Sequence, residues 1–309
     1  MNYSKQYITE LSERTGFIAG NVEKVIRLLG VLDFLFAKSS FKNALSLKGG
    51  TAINLIHTHL KRLSVDIDLD YHGSLDKDEA AKDRELLLRE LDDYAKYEGY
   101  SLSNKSRNSA ILASRSYSFL NASGNQDNIK VEINFIDRIA LFPDAVAKVT
   151  YFDKSVEIVS PTKEELYGMK IAALIDRSKP RDLFDIDCFL QCLEGSDLDK
   201  LRKSAVFYLS LDGVYKIDEA TFDGISAIKQ IAIKKELLPV LKKGEAFDLA
   251  KAKQRTIENL RNLLSLNEIE VAYLAELSEG KYDPSLLFEE EIAQRAEKHP
   301  MAKWRALNP

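Results

Sequence analysis

Apolar residues return every three to four positions through the first 45 residues, with Val22, Val25, Ile26, Leu28, Leu29, Leu32, Leu35 and Phe36 on helical spacing. This stretch reads as packing helix. From Ala44 the period changes: a short apolar strand (Ala44 to Leu47) leads into the turn Lys48-Gly49-Gly50, a short helix from Thr51 to His59, and strict alternation over Leu63 to Tyr71. Residues 76 to 97 are charged and helical, and Tyr100 to Leu120, rich in hydroxyls with Lys105, Arg107 and Arg115, reads as strands of a meander. A turn at Ser123-Gly124-Asn125 precedes another alternating strand, Ile129 to Ile136. Thr162 with Glu165 three residues on predicts a capping box that opens a helix through Ile175, and a second helix runs from about Pro180 to Leu193. Beyond Gly195 strand signals almost vanish; residues 200 to 309 read as helices with linker positions near Gly213, Gly244 and Gly280. The pattern predicts an α+β chain in two parts, a mixed half over 1–200 and a helical domain over 201–309.

Length agrees with that division, because 309 residues exceed what one hydrophobic core usually organises. A composition of 45% hydrophobic and 30% charged residues with 14 Gly and 7 Pro excludes disorder and collagen. The apolar run from Val25 to Ala37 is interrupted by Arg27 and Asp33, so no membrane span is expected. The residues after Met1 are polar and charged where a signal peptide needs an apolar run, which predicts a cytoplasmic protein. Cys188 and Cys192 lie one helical turn apart and are expected to be reduced core residues. The net charge of -4 speaks against a polyanionic partner only if charge is evenly spread. It is not, since residues 227 to 262 hold nine Lys or Arg against four acidic residues, a local balance of +5. Such a patch suits a nucleic acid, although solvated helix faces are also lysine-rich.

The strand period of two sends Val65, Ile67 and Leu69 to one face and Asp66, Asp68 and Asp70 to the other. Carboxylates at i and i+2 of a strand project in parallel, about 7 Å apart at Cα, and can converge on divalent ions that bridge triphosphate oxygens. The bland alternative is a solvent-facing strand surface. Gly49-Gly50-Thr51 lies between strand and helix, where backbone N–H groups can face an anion and Thr51 can either cap the helix or donate to a triphosphate. Alternation over Ile129 to Phe135 leaves Lys130, Glu132 and Asn134 on one face; Glu132 is a third metal ligand or a base for an attacking hydroxyl. Lys170 sits on a helix whose buried side is Leu166, Met169, Ala173 and Leu174, and its long stem can carry the ammonium out toward phosphate. Arg177, Lys179 and Arg181 extend that positive ground. A phosphate on Ser64 would set negative charge against the aspartates and compete with nucleotide. His57, His59 and His72 are expected at the surface or the core edge.

Together these residues resemble the DNA polymerase beta-like nucleotidyltransferases. More narrowly, the strings Leu47-Lys48-Gly49-Gly50-Thr51-Ala52-x-Asn54-Leu55, Arg62-Leu63-Ser64-x-Asp66-Ile67-Asp68-Leu69 and Lys170-x-x-Ala173-x-x-x-Arg177-x-x-x-Arg181-Asp182-x-x-Asp185 are similar to the AbiEii/MenT group. These are toxins of type IV toxin–antitoxin and phage abortive-infection systems. Two features depart from the wider superfamily: Gly-Gly-Thr replaces Gly-Ser, and 15 residues separate Gly50 from Asp66. The resemblance implies a nucleotidyltransferase core, a small mixed sheet flanked by helices within 1–200, followed by the helical domain of 201–309 as a place for an RNA acceptor. It implies Asp66 and Asp68 as the Mg²⁺ pair, and Lys48, Gly49, Gly50, Thr51, Ser64, Arg181 and Asp185 at the nucleotide. Lys170 and Asp182, the latter favoured over Asp185, match the later lysine and aspartate motifs.

Likeness to this group implies a monomeric, Mg²⁺-dependent nucleotidyltransferase toxin using GTP or another NTP. It also implies the tRNA 3′ end as acceptor, a block of translation, a role in antiviral defence and a cognate antitoxin. Two other readings share the residues: transfer to a hydroxyl of a protein or small molecule, and a GTP-binding regulator without turnover.

Overall fold

The computed structural model describes residues 3–309. The chain forms two compact units: unit 1 comprises Met1–Arg138, Asp144–Ser160 and Val240–Glu245, and unit 2 comprises Ile139–Pro143, Pro161–Pro239 and Ala246–Pro309. The division therefore falls after Ser160, well before the boundary expected at residue 200, and two short segments cross back.

Unit 1 begins with helices α1 (Lys5–Thr15) and α2 (Ala19–Asp33). Ser4 caps α1 by accepting from Tyr7 N, and Gly16 ends it in the left-handed region at φ 80°. The helical spacing read from the sequence is a core stripe, since Val22, Val25, Ile26, Leu28, Leu29, Leu32 and Leu35 are each at most 1% exposed. Strand β1 (Leu45–Lys48) runs into α3 (Gly49–Ala52), which continues as a π-turn over Ile53–His57. After β2 (Asp66–Tyr71) come α4 (Lys77–Tyr97), the short β3 (Ser101–Leu102) and β4 (Arg107–Asn108), then β5 (Leu112–Leu120) and β6 (Gln126–Asn134). The sheet order is β1-β2-β6-β5-β3, with β4 also on β5. Only β2 and β6 are parallel, pairing Asp66 with Lys130, Asp68 with Glu132 and Asp70 with Asn134; β1 is antiparallel to β2 and sets Lys48 opposite Asp68.

The alternation has the consequence expected of it. Leu47, Ile67, Leu69, Val131, Ile133, Ala113 and Tyr117 are all buried on the apolar face, which α4 covers: Asp92 accepts from Tyr117 Oη at 2.6 Å and from Arg115 Nε at 3.1 Å. The polar residues collect on the other face. A hairpin of β7 (Ala145–Tyr151) and β8 (Lys154–Ser160) completes the strands of unit 1. Its turn places Phe152 and Asp153 at φ 52° and 62°. Hairpin turns of that shape ordinarily use Asn-Gly or Asp-Gly, so the sequence carries little signal for this one. Val240–Glu245 joins unit 1 through Leu63 N to Val240 O and Lys243 N to Gly16 O, both 2.8 Å.

Unit 2 is helical, as expected of the C-terminal part: α5 (Lys163–Arg177), α6 (Pro180–Leu190), α7 (Leu198–Leu211), α8 (Asp223–Ala227), α9 (Gln230–Ala232), α10 (Leu249–Leu263), α11 (Glu268–Ser278), α12 (Glu290–Glu297) and α13 (Pro300–Leu307). Thr162 caps α5, accepting from Glu165 N. The Glu165 carboxylate, 0% exposed, accepts from Leu141 N at 2.8 Å, Phe142 N at 3.0 Å and Tyr208 Oη at 2.7 Å. These bonds, with Arg295 Nη2 donating to Ala140 O at 2.9 Å, bind residues 139–143 to the helical unit. The boundary falls early because α5 packs along α7, with Gly168 facing Ser204. Cys188 is buried on α6; Cys192 lies past the helix end and is exposed, contrary to expectation. Among the described residues no helix is long and apolar enough to cross a membrane.

A Cβ at position 168 would stand 2.4 Å from Ser204 Oγ and 2.9 Å from the Ala205 backbone N. Gly168→Ala therefore forces α5 and α7 apart, and we expect a loss of about 1–3 kcal/mol in chemical denaturation, the usual cost of overpacking.

Candidate active site

The polar face of the sheet in unit 1 sorts the three aspartates of β2 into different roles. Asp66 and Asp68 are half-buried, whereas Asp70 is 0% exposed. Lys48 Nζ lies 2.5 Å from Asp70 Oδ1 and 3.7 Å from Asp137 Oδ2, and Asn134 Nδ2 donates to Asp137 at 2.8 Å. Burial by itself would lower the Lys48 ammonium, but Asp70 and then Asp137 outweigh it and hold it above the usual lysine range. Burial pushes the Asp70 carboxyl up to about 6 against the opposing pull of Lys48. Lys48, expected at the nucleotide, is thus engaged behind the aspartate pair. Further along, Asp144 accepts from Ser46 Oγ and contacts His72 Nδ1, each at 2.8 Å. His72 is half-buried and His59 exposed, so the histidines sit where they were expected.

The glycine loop is built against Asp68. Gly49 adopts φ 69°, and a Cβ there would come within 2.6 Å of Asp68 Oδ2. The helix starts at Gly49, two residues before the expected start at Thr51, with Lys48 in the N-cap position. Its first turn leaves backbone N–H groups without acceptors inside the helix, which are the donors an anion needs. Thr51 is 1% exposed and its hydroxyl donates to Asp66 O. Thr51 does not cap the helix; its hydroxyl ties the loop to β2. Ser64 is half-buried, and its Oγ would lie 3.1 Å from a Cβ on Gly50.

Glu132 stands beside Asp68 in the parallel register, and Lys130 Nζ lies 2.6 Å from its Oε2. Among the described residues no group of three or more His, Cys, Asp or Glu is placed to hold a metal ion. Asp66 and Asp68 together form a two-carboxylate donor set that leaves positions for water and phosphate oxygens, which is how Mg²⁺ is commonly bound. The residues fit Mg²⁺ shared with a nucleotide.

Two residues that carry no chemistry in the sequence reading shape the loop. Asn54 Nδ2 donates to Gly50 O at 2.8 Å, and its Oδ1 accepts from Arg62 N at 3.3 Å. Arg62 is the largest fully buried side chain among the described residues. Asn54 falls one helical turn after Gly50, a spacing that hints at its contact; nothing local marks Arg62 as buried.

Unit 2 holds the later motif. Lys170 does not stand clear of the packing: it is 5% exposed, with Nζ 2.9 Å from Asp182 Oδ1 and 3.3 Å from Asp185 Oδ2. Lys170 is itself one of the buried positions of α5, with Leu166, Tyr167, Ile171 and Leu174, and its ammonium is captured by α6 instead of reaching solvent. Asp182 also accepts from Arg177 Nε at 2.7 Å and Nη2 at 3.1 Å. Burial would raise the Asp182 carboxyl, but Lys170 and then Arg177 outweigh it and bring it down to about 2. Arg181 is half-buried and makes no ion pair among the described residues.

The basic patch read over 227–262 is split between the units, with Lys242 and Lys243 in unit 1. Part of it is neutralised: Arg255 bridges Asp187 at 2.7 Å, Arg261 pairs with Glu219 and Lys251 with Asp248. Lys229, at the N-cap of α9, and Lys234 and Lys235, on the π-turn after it, are exposed without an ion pair among the described residues.

The chain with this glycine loop wedged against the aspartates of a mixed sheet is a nucleotidyltransferase. The chain belongs to the family of AbiEii nucleotidyl transferase toxins of type IV toxin–antitoxin systems, whose model matches residues 33–298. The fold is also that of MenT4, a nucleotidyltransferase toxin from Mycobacterium tuberculosis H37Rv, with a TM-score of 0.68 at 15% identity over 98% of this chain and 99% of that one. No curated protein matches the sequence.

Because Gly49 both adopts positive φ and abuts Asp68, Gly49→Ala should displace the carboxylate. We expect nucleotidyl transfer to fall by about 100-fold while the melting temperature drops by only a few degrees, in keeping with about 1–2 kcal/mol of backbone cost. A loss of activity no larger than the loss of folded protein would contradict this.

The pH dependence of unit 2 has a definite sign. A carboxyl held at about 2 when folded, against an ordinary 3.8, stabilises the fold at every pH above 3.8 and ceases to do so as pH falls toward 2. Asp182→Asn should cost about 2 kcal/mol at pH 7, and the difference from the parent protein should shrink below pH ~4, read by denaturant titration across that range.

Proposed function

We propose that this nucleotidyltransferase moves a nucleotidyl group from an NTP, GTP or another, to the 3′ end of tRNA, and that the added nucleotide blocks aminoacylation and arrests growth. The observation that supports the reading is the close approach of the glycine loop to Asp68, whose Oδ2 lies 2.6 Å from where a Cβ on Gly49 would stand. Asp66 and Asp68 would hold Mg²⁺, which when bound neutralises charge on the triphosphate oxygens. The first-turn N–H groups from Gly49 onward and the Ser64 hydroxyl orient the phosphates. The acceptor 3′ oxygen attacks the α-phosphorus, the bond to the β-phosphate oxygen breaks, and pyrophosphate leaves. Glu132 takes the proton of the attacking hydroxyl, with Lys130 holding its carboxylate in position. Lys170, Asp182 and Asp185 form the ion cluster that joins α5 to α6.

The three exposed lysines 229, 234 and 235 supply phosphate contacts for RNA. The protein acts in the cytoplasm, with a cognate antitoxin opposing it.

Incubating the protein with total tRNA, Mg²⁺ and each labelled NTP in turn tests this reading. Label should enter tRNA with one NTP preferred. Asp66→Ala should reduce transfer by about a thousandfold or more, since metal neutralisation of the transferring phosphoryl group contributes several kcal/mol, and should abolish toxicity on expression. Label on protein, or bound nucleotide without turnover, would refute the acceptor assignment.

A further inference from the structure

Arg62 is a buried charge in unit 1 that the proposed chemistry leaves without a role. It is 2% exposed, and its Nη1 donates to Leu63 O at 3.0 Å. Its Nη2 lies 2.6 Å from the point where a Cβ on Gly50 would stand, with Ser64 Oγ 3.1 Å from the same point. Absence of a side chain at position 50 is thus what lets a guanidinium come up directly against the glycine loop. Burying a charge is costly, and a hydrophobic residue of similar volume usually serves stability as well or better. Asn54 fastens Gly50 O, and the Arg62 backbone N–H, not the side chain, meets Asn54 Oδ1.

We propose that Arg62 is a positioning residue for the polyphosphate: its guanidinium, seated beneath Gly50 and beside Ser64, places a fixed positive charge under the anion-binding turn. The charge acts through the loop without touching ligand. Because it is held in the interior it is weakly screened, and it costs no ordering when the ligand arrives. The inference rests on the reading of this loop as a nucleotide site.

The test is binding of Mg²⁺-tripolyphosphate, which reports the phosphate subsite whatever the base, measured by calorimetry on the full chain with Arg62→Gln, Arg62→Lys and Gly50→Ala. Melting temperatures are recorded beside each. We expect Arg62→Gln to weaken binding about tenfold and to keep that ratio between low and high salt. Arg62→Lys should stay within about threefold of the parent because the charge survives. Gly50→Ala, which pushes the guanidinium away without removing it, should fall between them. In turnover, Arg62→Gln should raise KM for the donor and leave kcat within about twofold.

Equal binding by parent and Arg62→Gln overturns the proposal, as does equal weakening by Gln and Lys, which would make the effect one of shape. If Arg62→Gln does not fold, the comparison of Arg62→Lys with Gly50→Ala decides. Charge placement requires the lysine variant to bind more tightly, and the reverse order sinks it. Parent protein that binds no tripolyphosphate, or binds it unchanged after Asp66→Ala, brings down the nucleotide-site reading and this inference together. Loss at Asp66 with none at Arg62 refutes this inference only.

Discussion

The contact between the Gly49–Gly50 turn and β2 is the constraint on which the functional face of unit 1 depends. Position 49 needs positive φ and has no room for a Cβ beside Asp68; position 50 has none beside Arg62. Thr51 then fastens the turn to Asp66 O, and Asn54 fastens Gly50 O from the next turn of helix. The glycine turn and the aspartates are carried on different elements, so their relative placement is as rigid as these contacts. No residue with a side chain could replace either glycine without moving the groups it touches.

The second requirement is electrostatic. Three aspartates on one strand face and Asp137 near its end would repel one another without a compensating cation. Lys48 meets that need at the inner end, where burial is complete, and leaves Asp66 and Asp68 half-buried for a ligand. Unit 2 repeats the principle with different parts: Lys170 lies between Asp182 and Asp185, with Arg177 closing on Asp182. In both units a lysine that reads from the sequence as a phosphate ligand is paired with carboxylates, Lys48 half-buried and Lys170 buried.

Much of this was legible in the chain itself. The alternation over Leu63 to Tyr71 separated carboxylates from core residues correctly, because a strand has only two faces and one of them must be covered. The helix after Thr162 opened where its cap predicted. The hairpin of β7 and β8 was not read, since its turn uses Phe152 and Asp153 in a conformation ordinarily reserved for glycine or asparagine. The basic stretch over 227–262 was visible as charge, but which of its members are neutralised depends on carboxylates such as Asp187 and Glu219, distant in the chain.

By itself, the sequence determined which residues could do chemistry. Spacing along a strand or a helix is a local property, and it suffices to put Asp66 and Asp68 side by side, glycines ahead of a helix, and Lys170 on α5. The family followed from those strings and from little else. Tertiary structure decided which of these groups keep their charge available and what holds them still. Lys48 is paired with Asp70 and Lys170 with Asp182, while Asn54 and Arg62 acquired importance through contacts made by folding. The physical reason is that charge neutralisation and close approach depend on distance in space, and sequence spacing reports distance only within a single element.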